Sequence, residues 1–232
     1  MRDTAAALDR EFLMVKQERA ARTRQSLVRA AAEAFAREGF TQASLTSISR
    51  RAGVSNGALH FHFESKQALA RAVEEEACAA LEAITRPGDG LGSALQRLVD
   101  ATHALMGGLH QNVVVRAGFG LSGGFPRRAD GVDVRGRWRT WVGQTLREAE
   151  AEGGLADGVS AADAALAVVA ATVGFEQLGV ADPAWTSEAT LVRFWDLMLP
   201  RMAAPALAPR LRARCTRPLP AGQPRGAFTV RL

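Results

Sequence analysis

The chain has 232 residues, with 29 Lys and Arg against 24 Asp and Glu for a formal charge of +5, and 47% of its residues are hydrophobic. That length accommodates a small domain plus a larger one with a substantial core. No apolar run approaches a membrane span, the N-terminal MRDTAAALDREFL lacks the basic-then-apolar order of a secretory signal, and Cys78 and Cys215 are far apart without metal-ligand spacing.

In chain order, the first predicted helix runs from Arg22 to Glu38, its apolar positions Leu27, Ala31, Ala34 and Phe35 falling on one stripe before Gly39 ends it. Ser44 then precedes Leu45 and Ile48 at i,i+3 spacing, and its hydroxyl can cap the free N–H groups of a short second helix. Ala52-Gly53-Val54 closes that helix. Gly53 can take the left-handed conformation, and Val54 returns an apolar side chain to the core. Ser55 caps a third helix through Asn56, Gly57, Ala58, Leu59 and His60, with Ala58, Leu59 and Phe61 available for packing. Two short helices joined by a glycine turn are the helix-turn-helix arrangement, in which the start of the second helix enters a DNA major groove.

Ser65 caps a fourth helix through about Leu81, and the cluster Thr85 to Gly90, TRPGDG, marks the passage into a second domain. Leu91, Leu95, Leu98, Val99, Thr102, Leu105 and Met106 form the stripe of an amphipathic helix that Gly107-Gly108 closes. A short helix from Val113 to Phe119 precedes LSGGFPRRADGVDVR, a predicted mobile loop, and a longer helix runs from about Arg135 to Glu152 before Gly153-Gly154. Ser160 and Asp163 resemble a capping box for AADAALAVVAATVGFEQLG, apolar around most of its circumference and so in need of partners on both sides. The last helix, Ser187 to about Met202, carries Leu191, Phe194, Trp195 and Met198 on one stripe.

The helix-turn-helix residues AGVSNGALHFHFESKQAL resemble the TetR family of repressors, and the lead-in from Lys16 to Phe40 resembles the actinobacterial γ-butyrolactone-receptor branch of that family. The resemblance implies an all-α fold. An N-terminal three-helix helix-turn-helix DNA-binding domain would occupy 16–64, and a helical bundle for ligand binding and dimerisation 65–203. Residues 1–15 would form a disordered extension, with Met14-Val15-Lys16-Gln17 resembling a natural start, and 204–232 a basic disordered tail. Two departures from the branch stand in the third helix: Asn56 where Lys is usual and His60 where Tyr is usual. Asn pairs bidentately with adenine whereas Lys favours guanine, so the operator would differ; His60 would also make a phosphate contact sensitive to pH near neutrality.

On this resemblance the DNA-binding residues are Arg22 and Arg24 on the arm, Ser44, His60 and Lys66 toward phosphates, Ser55, Asn56 and Gly57 near base edges, and Thr46. The candidate ligand residues are Trp138 with its rival Trp141 one turn later, Thr172 and Val173 on the next long helix, and Leu98 and Val99. A Trp offers an apolar face and one N–H donor, which suits a small lactone or furan, but it serves equally as a core residue. Thr172 divides in the same way between a pocket wall and a hydroxyl bonded back to its own helix. The implied partners are a pseudo-palindromic double-stranded DNA operator, a small-molecule inducer and a second copy of the chain, with no membrane, no metal and no cofactor, in the cytoplasm.

Seven arginines from Arg201 onward have no acidic residue among them, and taking these from the 29 leaves 22 basic against 24 acidic. The sequence pI of about 10.4 is therefore largely a property of the tail. His60 and His62 lack a third ligand nearby, and no nucleophile elbow, phosphate loop or paired-carboxylate motif occurs, so no enzyme is expected. Three alternatives stand beside the inducible repressor: a pseudo-receptor answering to antibiotics or their intermediates, a ligand-independent DNA binder, and an enzyme acting on lactones.

Overall fold

A computed structural model of the chain describes residues 2–86, 92–123 and 131–216, with side chains from residue 14 onward. The described residues form nine α-helices and no strand: α1 (Arg2–Gln42), α2 (Leu45–Ala52), α3 (Asn56–His62), α4 (Lys66–Thr85), α5 (Ala94–Gln111), α6 (Val113–Ser122), α7 (Val134–Ala151), α8 (Ala161–Leu178) and α9 (Glu188–Met202). A 3₁₀ turn, Pro183–Thr186, separates the last two, and a second, Ala208–Arg210, follows them.

Local chemistry sets the starts. Each helix from α2 to α9 begins after a Ser, Asn or Asp whose side chain accepts from a backbone N–H of the first turn, satisfying a donor that has no partner within the helix. Ser44, Ser55 and Ser65 cap α2, α3 and α4 as expected. Gly39 (φ 74°) breaks α1 and Gly53 (φ 70°) closes α2, both in the left-handed region.

Two buried cores result. The first joins α1 (Leu27, Ala31, Ala34, Phe35), α2 (Ile48), α3 (Leu59) and the first half of α4 (Leu69, Val73), and takes Ala117 from α6. The second joins the second half of α4 (Ala77, Leu81, Ile84) with α5, α7, α8 and α9 around Trp138 and Trp195, and takes Val115 and Phe119 from α6. Both α4 and α6 thus belong to both cores. They meet where Gly118 faces Ala77: a Cβ on Gly118 would lie 2.3 Å from the Ala77 Cβ, so this crossing needs glycine.

Several expectations are corrected. The backbone is helical from Arg2, where a disordered extension was expected over 1–15. Gly107-Gly108 does not end α5, because neither glycine adopts positive φ; the helix continues to Gln111, and the Asn112 N–H bonds the Gly108 carbonyl at 2.8 Å. The breaker cluster from residue 87 and most of the loop after α6 lie outside the described residues.

The tail from residue 204 is built differently from a free chain as far as Thr216. Ala204 N–H bonds the Gly154 carbonyl at 2.9 Å, Leu207 and Ala208 pack on the second core, and Leu211 is buried within it. The stretch beyond clasps α5. Gln96 exchanges two hydrogen bonds with the Arg212 backbone, His103 bonds the Ala213 carbonyl at 2.8 Å, and the buried Asp100 carboxylate accepts from Thr216 N–H and hydroxyl at 2.9 and 2.6 Å. Residues 217–232 lie outside the described residues.

Among the described residues α8 is the one helix long and apolar enough to cross a membrane, where no such run was expected. Its composition follows from having two apolar faces. Ala161, Ala164, Val168 and Thr172 face the core, while Leu166 (71% exposed) and Leu178 (47%) lie on the surface.

Candidate DNA interface and bundle site

The helix-turn-helix presents an exposed polar face on which Arg22 pairs with Glu18, Arg29 and Arg51 with Glu33, and the Ser44 and Ser55 hydroxyls are held as helix caps. Arg22, Arg24, Ser44, Thr46, Ser55, Asn56, Gly57 and His60 are all exposed. Lys16, Arg19, Arg29, Arg50 and Arg51 are exposed as well, a clustering of cations that suits a phosphate surface. At the start of α3 a Cβ on Gly57 would meet only the Ser55 hydroxyl at 3.8 Å, so this turn of helix is flat and open to close approach.

Three side chains are more constrained than their sequence positions convey. Asn56 Oδ1 accepts from the Ser49 hydroxyl of α2 at 2.5 Å, which orients the amide while leaving one lone pair and both Nδ2 donors for a base edge. Arg24 lies over the Phe63 ring at 5.3 Å, a cation–π contact that ties the arm to the end of α3. Lys66, expected on a phosphate, turns inward instead. Its ammonium donates to the carbonyls of Thr41 and Ala43 at 3.1 and 2.9 Å and sits 4.7 Å from the centre of the Phe40 ring, so one of three donors remains for DNA.

Phe61, expected to be available for packing, is 82% exposed. Leu59 and Phe63, four residues apart, are the inward pair, and Phe61 between them faces out in T-shaped contact with the His62 ring. Nearby on α4, burial raises the Glu76 carboxyl above its ordinary range, and Arg24 partly opposes the shift.

In the bundle, Trp138 is fully buried on α7, its indole N–H donating to the Thr172 hydroxyl of α8 at 2.9 Å. Thr172 in turn bonds back to the Val168 carbonyl at 2.9 Å, so its hydroxyl serves its own helix, and neither Thr172 nor Trp138 lines the cavity beside Trp141 or the one at the domain junction. Leu98 and Val99 are in the same buried cluster, and Val173 is half-buried beside Thr172. Trp141 stacks on Trp138 with ring centres 5.3 Å apart, and with Leu81, Thr85, Arg137 and Gln144 it lines a shallow cavity of about 490 Å³. A second pair of the same kind was missed: Trp195 on α9 donates to Thr102 on α5 at 2.8 Å. Among the described residues no three His, Cys, Asp or Glu side chains gather as a metal site.

An exposed, cation-rich helix-turn-helix carried on a helical second domain defines a transcriptional regulator of the two-domain, all-helical kind. Residues 27–73 match the model for bacterial regulatory proteins of the tetR family. The chain is 32% identical over 205 residues to the A-factor receptor protein of Streptomyces griseus, covering 86% of this chain and 70% of that protein. It therefore belongs to the TetR family. The crystal structure of a γ-butyrolactone receptor, described as an ArpA-like protein, superposes with a TM-score of 0.70 at 27% identity, covering 83% of this chain and 94% of that one. CprB of Streptomyces coelicolor, solved in complex with its biological operator sequence, gives a TM-score of 0.69 at 27% identity, with 83% and 94% covered.

Proposed function

We propose that the chain is a homodimeric repressor in the cytoplasm. Two copies of α3 occupy successive major grooves of a pseudo-palindromic operator, and a small signalling molecule of the γ-butyrolactone, furan or butenolide kind releases them, switching on genes of antibiotic or secondary metabolism. The observation that carries this reading is the double membership of α4. One helix belongs to the core that holds α3 and to the core that holds Trp138, so a change of packing in the bundle tilts the reading head. Asn56, Ser55 and Gly57 contact bases; Ser44, Thr46, His60 and the remaining donor of Lys66 contact phosphates; Arg22 and Arg24 steady the arm. Trp138, Trp141, Thr172, Val173, Leu98 and Val99 form the ligand region, which opens only if the ligand takes the indole donor from Thr172. Release then follows from preferential binding to the conformation that does not fit DNA.

The dimer reading is supported by apolar side chains that one copy leaves on the surface, namely Leu166 and Leu178 of α8, Val180 and Trp185 beyond it, and Leu197 of α9. The relatives named A-factor receptor and γ-butyrolactone receptor support the ligand class.

The experiment is a gel-shift titration against the DNA upstream of the chain's own gene at fixed salt, with and without a small-molecule extract of its host. Specific binding that the extract abolishes is expected. Specific binding indifferent to the extract overturns the inducible reading in favour of a constitutive binder.

A further inference from the structure

A second cavity, of about 900 Å³, lies at the junction of the two domains, between the end of α1, the outer half of α6 and the segment following α8. Its volume falls within the roughly 300–1,000 Å³ usual for small-molecule sites. None of the ligand residues inherited from the family lines it. The DNA-binding domain contributes Phe35 and Phe40, α6 contributes Leu121, and the segment after α8 contributes Val180 and Pro183.

The charge in this cavity is unbalanced. Arg116 and Arg135 line it against a single carboxylate, Glu176. Arg135 and Glu176 form a buried ion pair, the Glu176 side chain only 6% exposed. Arg116 uses one nitrogen on the carbonyls of Leu109 and His110 at 2.9 and 3.2 Å, which leaves other donors of its five. Arg135 Nε is buried with no hydrogen-bond partner, an arrangement folded proteins seldom keep without a use. Gly123 is what admits the guanidinium: a Cβ there would lie 1.8 Å from Arg135 Nη1.

We propose that this junction cavity binds an amphipathic organic anion, with its apolar body against Phe35, Phe40 and Leu121 and its carboxylate or sulfonate on Arg116 and Arg135. Its walls belong to both domains, so an occupant bears directly on the seating of α1 against α6. This site is separate from the Trp138 region and gives the regulator an input independent of the lactone.

The test uses the full-length protein and the fluorescent anion anilinonaphthalene sulfonate. A saturable site is expected, one per chain, from which decanoate displaces the probe and decanol does not. Gly120 lines the cavity at an exposed position of α6, and a Cβ there meets nothing within 4 Å, so Gly120→Phe fills the space without backbone conflict and abolishes displaceable binding while circular dichroism and melting stay unchanged. Val180→Trp, at a lining position 71% exposed, carries the same expectation should Gly120→Phe not fold. Arg116→Gln is expected to erase the preference for decanoate over decanol. Parental binding in a folded cavity-filling variant, or equal displacement by decanol and decanoate from the parent, overturns the proposal. Operator release is not the readout, so neither result depends on the lactone reading.

Discussion

Trp138 on α7 donates its indole N–H to the Thr172 hydroxyl on α8, and that hydroxyl donates to the Val168 carbonyl, so a relay of two hydrogen bonds fastens neighbouring helices inside a fully buried core. Thr172→Val keeps the shape and removes the acceptor, which leaves a buried N–H unmatched. The expected loss is about 1–3 kcal/mol of folding stability, read by urea unfolding, with operator affinity at fixed salt unchanged. An unfolding midpoint equal to the parent's would mean that the relay contributes nothing to the fold and that Thr172 is kept for another purpose.

Asn56 is pre-oriented by Ser49. Its replacement by Ala should weaken specific operator binding by about 1–3 kcal/mol and relax preference at one base pair of each half-site, while nonspecific binding stays as it was. Ser49→Ala should produce a smaller loss of the same kind, since it frees the amide without removing it. Gel shifts against an operator substituted base by base check both. An unchanged base preference in Asn56→Ala would remove this residue from direct readout.

What was legible in the residues is what is decided locally. The serine caps at 44, 55, 65 and 160 need only their own first turn, and Gly53 needs only its own φ, so all of these stood in the sequence. Gly107-Gly108 was misread because a glycine ends a helix only when it adopts positive φ, and composition does not fix φ. Phe61 was expected to be available for packing although helical phase already favoured Leu59 and Phe63, four apart, as the inward pair. The carbonyls of Thr41 and Ala43 that hold Lys66 come from elements some two dozen residues upstream, and the Asp100 anchor for Thr216 is 116 residues away. No periodicity carries information over that distance. The junction cavity was invisible for the same reason: its walls come from α1, α5, α6, α7, α8 and the segment after α8, and meet only after these have packed.

The C-terminal segment carries stability that its composition conceals. Asp100 is buried and accepts from Thr216 twice and from Gln96 once. Asp100→Asn should cost about 1.5–3 kcal/mol, the range for hydrogen bonds to a charged group, and should make the chain near Thr216 the first site cut in limited proteolysis. Equal protease resistance in variant and parent would show that the Gln96 and His103 bonds and the packing of Leu207 and Leu211 hold the segment without Asp100.

Glu76 supplies a test by pH. Burial disfavours its charged form, Arg24 opposes this to a lesser extent, and the carboxyl is raised above its ordinary 4.5 in the folded chain. The folded state therefore holds this proton more tightly than the unfolded state does. Its contribution to stability is fully present below about pH 4.5 and is lost as pH rises through the raised value. Glu76→Gln imitates the neutral acid at every pH. The variant should melt higher than the parent at pH 7, with the difference shrinking as pH is lowered and gone once the parent's carboxyl is protonated in both states. Paired thermal melts from pH 4 to 8 read this directly. A variant that melts lower than the parent at pH 7 would show that the attraction of Arg24 for the carboxylate outweighs the cost of burying it, and that the pair helps to hold the DNA-facing arm.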